Sequence, residues 1–191
     1  LAMGFALIMA ALLLAGALGM YGIQTLEQEV YEITAINNEE SRLATEMRFE
    51  VQEQAIAIRN ILLLTDPNVL KAEVSRAAEA ERLYNESRDQ LGSMFTSSPT
   101  TTGDEKRLFS AASAAQQAVR SMFEKVLAEG MYGNRQDAQH MLEEELRPKQ
   151  RILQETLSKL ASLAAQLNEE RATSTRALAD RLQWAMASTI A

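Results

Sequence analysis

Residues 43–70 read LATEMRFEVQEQAIAIRNILLLTDPNVL and predict two consecutive helices. In the first part, apolar side chains recur at spacings of four or seven residues, the pattern of a helix with one buried face. These side chains are Leu43, Met47, Val51, Ile58 and Leu62. The run ends at Asp66 and Pro67, because Asp caps helix N-termini and Pro suits the first helical position. The stretch therefore indicates a long helix, a very tight turn and a second helix that begins at Pro67.

The rest of the chain predicts two more helices. Residues 96–103 are polar and rich in helix breakers, which indicates a loop. A third helix is expected from Asp104 to the glycines near residue 130, and a leucine-rich fourth helix from about Arg135. Short connections favour antiparallel neighbours, so we predict an all-α, up-down-up-down four-helix bundle. Pro148 predicts a bend in the fourth helix, because it has no N–H to donate one turn back.

Uncharged segments lie at both ends of this bundle. Residues 1–23 carry no charged side chain and are long enough to cross a bilayer, which predicts a first transmembrane helix. Residues 184–191 are also uncharged and predict the start of a second one. Residues 24–183 then form a domain on one side of the membrane. A cleaved signal peptide ending near Ala15-Gly16-Ala17 is the alternative interpretation of the first segment.

Composition argues against several functions. The formal charge is −7 without a basic block, which disfavours nucleic acid as a partner. Cysteine is absent and there is a single histidine, so thiolate metal sites and histidine-rich metal sites are not expected. Phosphate-binding loops, dinucleotide fingerprints and His-Glu-x-x-His motifs are missing from the sequence. We therefore expect no enzyme activity, no metal and no cofactor.

Three features carry a resemblance to a known family. They are the uncharged leading segment, the arginine-bearing end of the first helix (residues 53–66, EQAIAIRNILLLTD) and residues 144–148 (EELRP) before the last leucine-rich run. With them the chain resembles the four-helix-bundle sensing domain of bacterial methyl-accepting chemotaxis proteins. The resemblance implies a homodimeric receptor in the inner membrane, with its sensing domain in the periplasm and its signalling partners in the cytoplasm. The sensing domain of a membrane histidine kinase and a purely structural helical spacer remain alternatives.

The resemblance also implies a small extracellular ligand, and the residues suggest an organic acid with two or three carboxylates, such as malate, succinate or citrate. If the membrane-proximal ends of helices one and four are level, Arg59 lies level with about residue 148. We expect Arg59 to anchor one carboxylate and Arg120 a second, because guanidinium groups pair bidentately with carboxylates. The predicted supporting residues are Lys149, Tyr84 and Asn60. Arg147 and Arg151 point away from the core stripe and are expected at the surface.

Overall fold

A computed structural model describes residues 9, 16, 19–22 and 38–190, with the side chains of residues 178 and 182–190 excepted. Over residues 38–190 there are five α-helices and one π-helical turn: α1 (Asn38–Leu63), α2 (Pro67–Ser97), α3 (Gly103–Met131), α4 (Arg135–Met141), the π turn (Leu142–Leu146) and α5 (Arg147–Ile190). Because α4, the π turn and α5 follow one another without a break, they form a single fourth arm. The predicted all-α class is confirmed for the residues that the structure describes.

The first turn of the bundle forms as the sequence predicts. Asp66 caps α2, its carboxylate accepting from the backbone N–H groups of Asn68 at 2.8 Å and Val69 at 3.4 Å. Pro67 occupies the first helical position, where its missing N–H costs nothing. The predicted start of the second helix is therefore confirmed.

The third helix begins slightly earlier than predicted. Thr102 caps it, and Glu105 folds back so that its carboxylate accepts from the backbone N–H of Thr102 at 2.7 Å. This reciprocal capping box makes Gly103 the first helical residue in place of the predicted Asp104. The side chain of Glu105 is buried, and the box satisfies it.

Contacts between helices show that neighbours run antiparallel. Between α1 and α2, Asn60 donates to Glu73 at 3.0 Å near one end, and Ser87 donates to Glu46 at 3.3 Å nearer the other. Between α2 and α3, the rings of Phe95 and Phe109 pack edge to face with centroids 5.4 Å apart, and Arg120 lies 3.3 Å from Glu81. Between α1 and α5, Ser41 donates to the carbonyl of Ala161 at 3.3 Å and Arg48 to Ser158 at 3.4 Å. In each pair, residue numbers increase along one helix while they decrease along its neighbour. The neighbouring helices are therefore antiparallel, as in an up-down-up-down bundle.

The core forms a stripe through residues 40–164, one of the two compact units into which the chain divides. Its largest fully buried side chains come from all four arms: Leu43, Met47, Val51, Ile58, Tyr84, Leu91, Val119, Leu146, Leu153, Leu157 and Leu160. In the other unit, residues 1–39 and 165–191, Asn168 donates to Asn38. The sequence stripe of the first helix thus predicts the core of α1 correctly.

The predicted membrane spans are not tested by the described helices. Among the described residues, no helix combines the length and apolar character needed to cross a bilayer. Most of the predicted span over residues 1–23 lies outside the described residues, as does the part of the first helix before Asn38. The division into residues 1–23, 24–183 and 184–191 therefore stays a prediction.

A π turn lies just before Pro148, where the sequence predicts a bend. The backbone N–H of Arg147 donates to the carbonyl of Leu142, five residues back instead of four. Pro148 has no N–H with which to continue a regular α-helical ladder, and a wider turn adapts the backbone there. One extra residue in a turn changes the face that later residues present, so the π turn sets the orientation of α5 side chains.

Candidate functional site

A groove of about 430 Å³ lies between α1 and α5. We call it the arginine groove, and its lining residues are Gln52, Ala55, Ile56, Arg59, Arg147, Gln150, Arg151 and Gln154. The four from α1 and the four from α5 each follow a spacing of three, one and three residues, which places them on one face of their helix. One row of side chains from α1 and one row from α5 thus face each other across the groove.

The arginine groove is positively charged. Arg59, Arg147 and Arg151 contribute three guanidinium groups, and none of the lining residues is acidic. Arg151 lies 3.8 Å from Glu155 on its own helix, a loose and exposed pair. Arg59 and Arg147 have no ion-pair partner among the residues that the structure describes. Because the whole chain carries a charge of −7, this concentration of unpaired positive charge marks a site suited to an anion.

Gln150 adds a neutral donor to the groove. Its side chain is 4% exposed, and its Nε2 has no hydrogen-bond partner within the described part of the chain. A buried donor without an acceptor costs about 1–3 kcal/mol, which an anion oxygen in the groove would recover. The groove therefore offers three charged donors and one uncharged donor to a ligand.

The π turn positions these donors. Arg147 is the first residue of α5, and its backbone N–H makes the π-type hydrogen bond to Leu142. Gln150 and Arg151 follow within one turn. Such π turns are frequent at functional sites because they re-aim side chains without breaking the helix.

Arg59 is the one predicted ligand residue in the arginine groove, and its position near residue 148 of the fourth arm agrees with the level estimated from the sequence. Arg120 lies elsewhere, in a cavity between α2 and α3, where its Nε is 3.3 Å from Glu81 and 3.1 Å from Glu124. The expectation that Arg59 and Arg120 share a ligand is corrected, because they open into different grooves.

The three supporting residues also lie outside the arginine groove. Lys149 is half-buried, and its Nζ donates to the carbonyl of Glu145 at 3.3 Å. Asn60 is turned toward α2, where it donates to Glu73. Tyr84 is fully buried in the core, and its hydroxyl has no partner among the described residues. Burial raises the pKa of the Tyr84 phenol, which therefore stays neutral. The structure does not bring these three side chains together with Arg59.

Sequence reasoning missed Arg147, Gln150 and Arg151 as site residues. Arg147 and Arg151 are exposed, as expected, but they line the groove at the same time. The level estimate could have found them, since it placed Arg59 beside residue 148. Within the ranges that the structure describes, no group of three or more His, Asp or Glu side chains is arranged to hold a metal ion.

The structure is thus an antiparallel helical bundle with a charged groove between two of its helices. The sequence pattern of one protein family, described as a four helix bundle sensory module for signal transduction, matches residues 1–179. The chain belongs to this family, the sensory module of methyl-accepting chemotaxis proteins. No curated protein matches the chain. The resemblance inferred from the sequence is thus confirmed, and with it a role in signal transduction.

Proposed function

We propose that this sensory module binds a small organic acid with two or three carboxylates in the arginine groove, as the input of a chemotaxis receptor. The observation that carries the proposal is the groove itself, in which Arg59, Arg147 and Arg151 meet without an acidic lining residue. Three like charges repel one another, and a ligand with two or three negative charges relieves that repulsion. Guanidinium groups suit the task because their planar donors match carboxylate oxygens in pairs.

The proposed site differs from the one predicted from the sequence. Arg59 remains the anchor, and Arg147 and Arg151 replace Arg120 and Lys149 as the further cations. Gln150 replaces Tyr84 and Asn60 as the neutral hydrogen-bonding group. Malate, succinate and citrate remain the ligand class, because the number of guanidinium groups matches two or three carboxylates.

The setting of this site is also part of the proposal. We place the module in the periplasm, anchored in the bacterial inner membrane, where it signals to cytoplasmic partners as a homodimer. An exposed apolar stripe on α1 supports the dimer: Phe49 is 55% exposed, Leu63 is 66% exposed, and half-buried Ile56 lies between them at seven-residue intervals. Such spacing suits pairing with a second helix.

The test is a calorimetric titration of the full chain in lipid nanodiscs with succinate, malate and citrate. Each charge-assisted hydrogen bond contributes about 1.5–3 kcal/mol, so Arg59→Ala should weaken binding of the preferred acid at least about tenfold. Arg147→Ala should do the same. Arg120→Ala is the matched control, an exposed arginine in another cavity, and should leave the affinity unchanged.

Each result has a defined meaning. Equal losses from Arg59→Ala and Arg120→Ala would restore the shared site predicted from the sequence and contradict the arginine groove. If none of the acids binds the unmodified chain, the organic-acid proposal is wrong. A sensor kinase would use the same groove, whereas a structural spacer would show no saturable binding.

A further inference from the structure

A second cavity, of about 150 Å³, lies between α2 and α3, with α1 behind it. We call it the α2–α3 cavity. Its apolar lining residues are Val74, Ala77, Ala78, Phe123 and Leu127. An apolar cavity of about 150 Å³ can hold a benzene-sized molecule. The cavity shares no lining residue with the arginine groove, so it is a separate site.

Gln116 lines this cavity and carries an unsatisfied acceptor. Its side chain is 6% exposed, and its Oε1 has no hydrogen-bond partner in the part of the chain that the structure describes. Buried polar atoms are normally hydrogen-bonded, so this one requires an explanation. A carbonyl oxygen can accept but not donate, which means that a ligand with an N–H or O–H group would satisfy it.

The lining residues of the α2–α3 cavity carry a net negative charge, whereas those of the arginine groove carry a net positive charge. Glu81 and Glu124 both line the cavity, and one guanidinium, that of Arg120, lies between them. The Nε of Arg120 is 3.3 Å from Glu81 and 3.1 Å from Glu124, so a single nitrogen serves both carboxylates. Two carboxylates and one guanidinium leave a formal charge of −1, which favours a cation.

We propose that the α2–α3 cavity binds a small primary amine whose apolar body is about the size of a benzene ring. The ammonium group donates to Oε1 of Gln116 and to a carboxylate oxygen of Glu81 or Glu124. The apolar body packs against Phe123 and the alanines of α2. This inference does not depend on the acid site, because it uses other helix faces and the opposite charge.

The experiment titrates the full chain in lipid nanodiscs with benzylamine, and with benzyl alcohol and benzoate as its neutral and anionic counterparts. Empty nanodiscs give the lipid background. We expect saturable binding of benzylamine and at least tenfold weaker binding of benzyl alcohol. Benzoate is a carboxylate, so any binding of benzoate should be lost in Arg59→Ala and unchanged in Gln116→Leu. Gln116→Leu keeps the size of the side chain and removes the acceptor, so it should weaken benzylamine binding about tenfold, or about 1.4 kcal/mol.

Gln117→Leu is the matched control. Gln117 is the exposed neighbour of Gln116 on α3 and does not line the cavity, so its substitution should leave benzylamine binding unchanged. Ala78→Leu is a second test variant. Ala78 is exposed at the cavity, so a larger side chain there should fill the cavity without disturbing the core and should weaken benzylamine binding. Circular dichroism establishes that each variant keeps its helicity.

Three results would overturn the amine site. They are no saturable binding of benzylamine, binding of benzyl alcohol as tight as that of benzylamine, and unchanged affinity in both Gln116→Leu and Ala78→Leu. The acid titration can succeed or fail independently, so failure of one site is distinguishable from failure of the other.

Discussion

At the scale of single residues, Glu50 is a carboxyl group inside the bundle. Its side chain is 9% exposed, and desolvation raises the pKa of its carboxyl. The charges of Glu53 and Glu46 on α1 and of Glu79 on α2 raise that pKa further. An ionised Glu50 is therefore disfavoured in the folded protein but not in the unfolded chain.

This pKa predicts how stability depends on pH. Below the carboxyl pKa of the unfolded chain, about 4.3, Glu50 is protonated in both states and costs nothing. As the pH rises through the raised folded-state pKa, the folded state loses stability relative to the unfolded chain. Glu50→Gln removes this loss, so the variant should melt a few degrees higher than the unmodified chain at pH 7, and the difference should shrink at pH 4.

Thermal melts of the two proteins between pH 4 and pH 7 measure the effect. Glu143→Gln is the control, because Glu143 is exposed on the π turn and should change neither curve. A difference between Glu50→Gln and the unmodified chain that stays constant across this pH range would contradict the assignment to Glu50 ionisation.

At the scale of helical elements, the π turn before Pro148 sets the orientation of the α5 side chains that line the arginine groove. Pro148→Ala restores the missing N–H and permits a regular α-helix. If the π turn became a regular α turn, which spans one residue fewer, the side chains after it would rotate by about 100° relative to those before it. We therefore expect Pro148→Ala to keep or raise the melting temperature and to weaken acid binding about tenfold, the loss of about one charge-assisted hydrogen bond.

Calorimetry and thermal melts of the same sample separate these two effects. Pro99→Ala is the matched control, since Pro99 lies in the loop between α2 and α3 and should leave acid affinity unchanged. Acid affinity that survives Pro148→Ala would mean that the π turn does not position the site.

At the scale of the whole molecule, the exposed α1 stripe of Phe49, Ile56 and Leu63 predicts how two copies meet. Ile56 also lines the arginine groove, so a second copy on this stripe would lie beside the bound acid. The chain has no cysteine, which makes disulfide trapping specific. Phe49→Cys should give a covalent dimer on mild oxidation in native membranes.

Ile152→Cys is the control for trapping. Ile152 is 55% exposed, as Phe49 is, but it lies on α5. We expect little crosslinking there, with or without ligand. Equal trapping at both positions would indicate random collision and would count against an α1-centred dimer.

The sequence by itself determined the helices and much of the core, because both depend on local signals. The four-residue spacing of Leu43, Met47 and Val51 specified the buried face of α1, and Asp66 with Pro67 specified the turn. The same local sequence contains the Thr102 and Glu105 capping box, which begins α3 at Gly103 and not at the predicted Asp104. These features require only neighbours within a turn or two of the chain.

Only the tertiary structure decided which charged residues meet. Arg59 and Arg120 open into different grooves, because α1 presents Arg59 toward α5 and α3 presents Arg120 toward α2. The π turn cannot be read from periodicity alone, and it sets the face on which Arg147, Gln150 and Arg151 lie. The side chains that line the arginine groove come from helix segments about 90 residues apart in sequence. Whether they meet depends on how far each helix is rotated about its own axis. The 3.6-residue spacing does not determine that rotation, because it is fixed only when the helices pack.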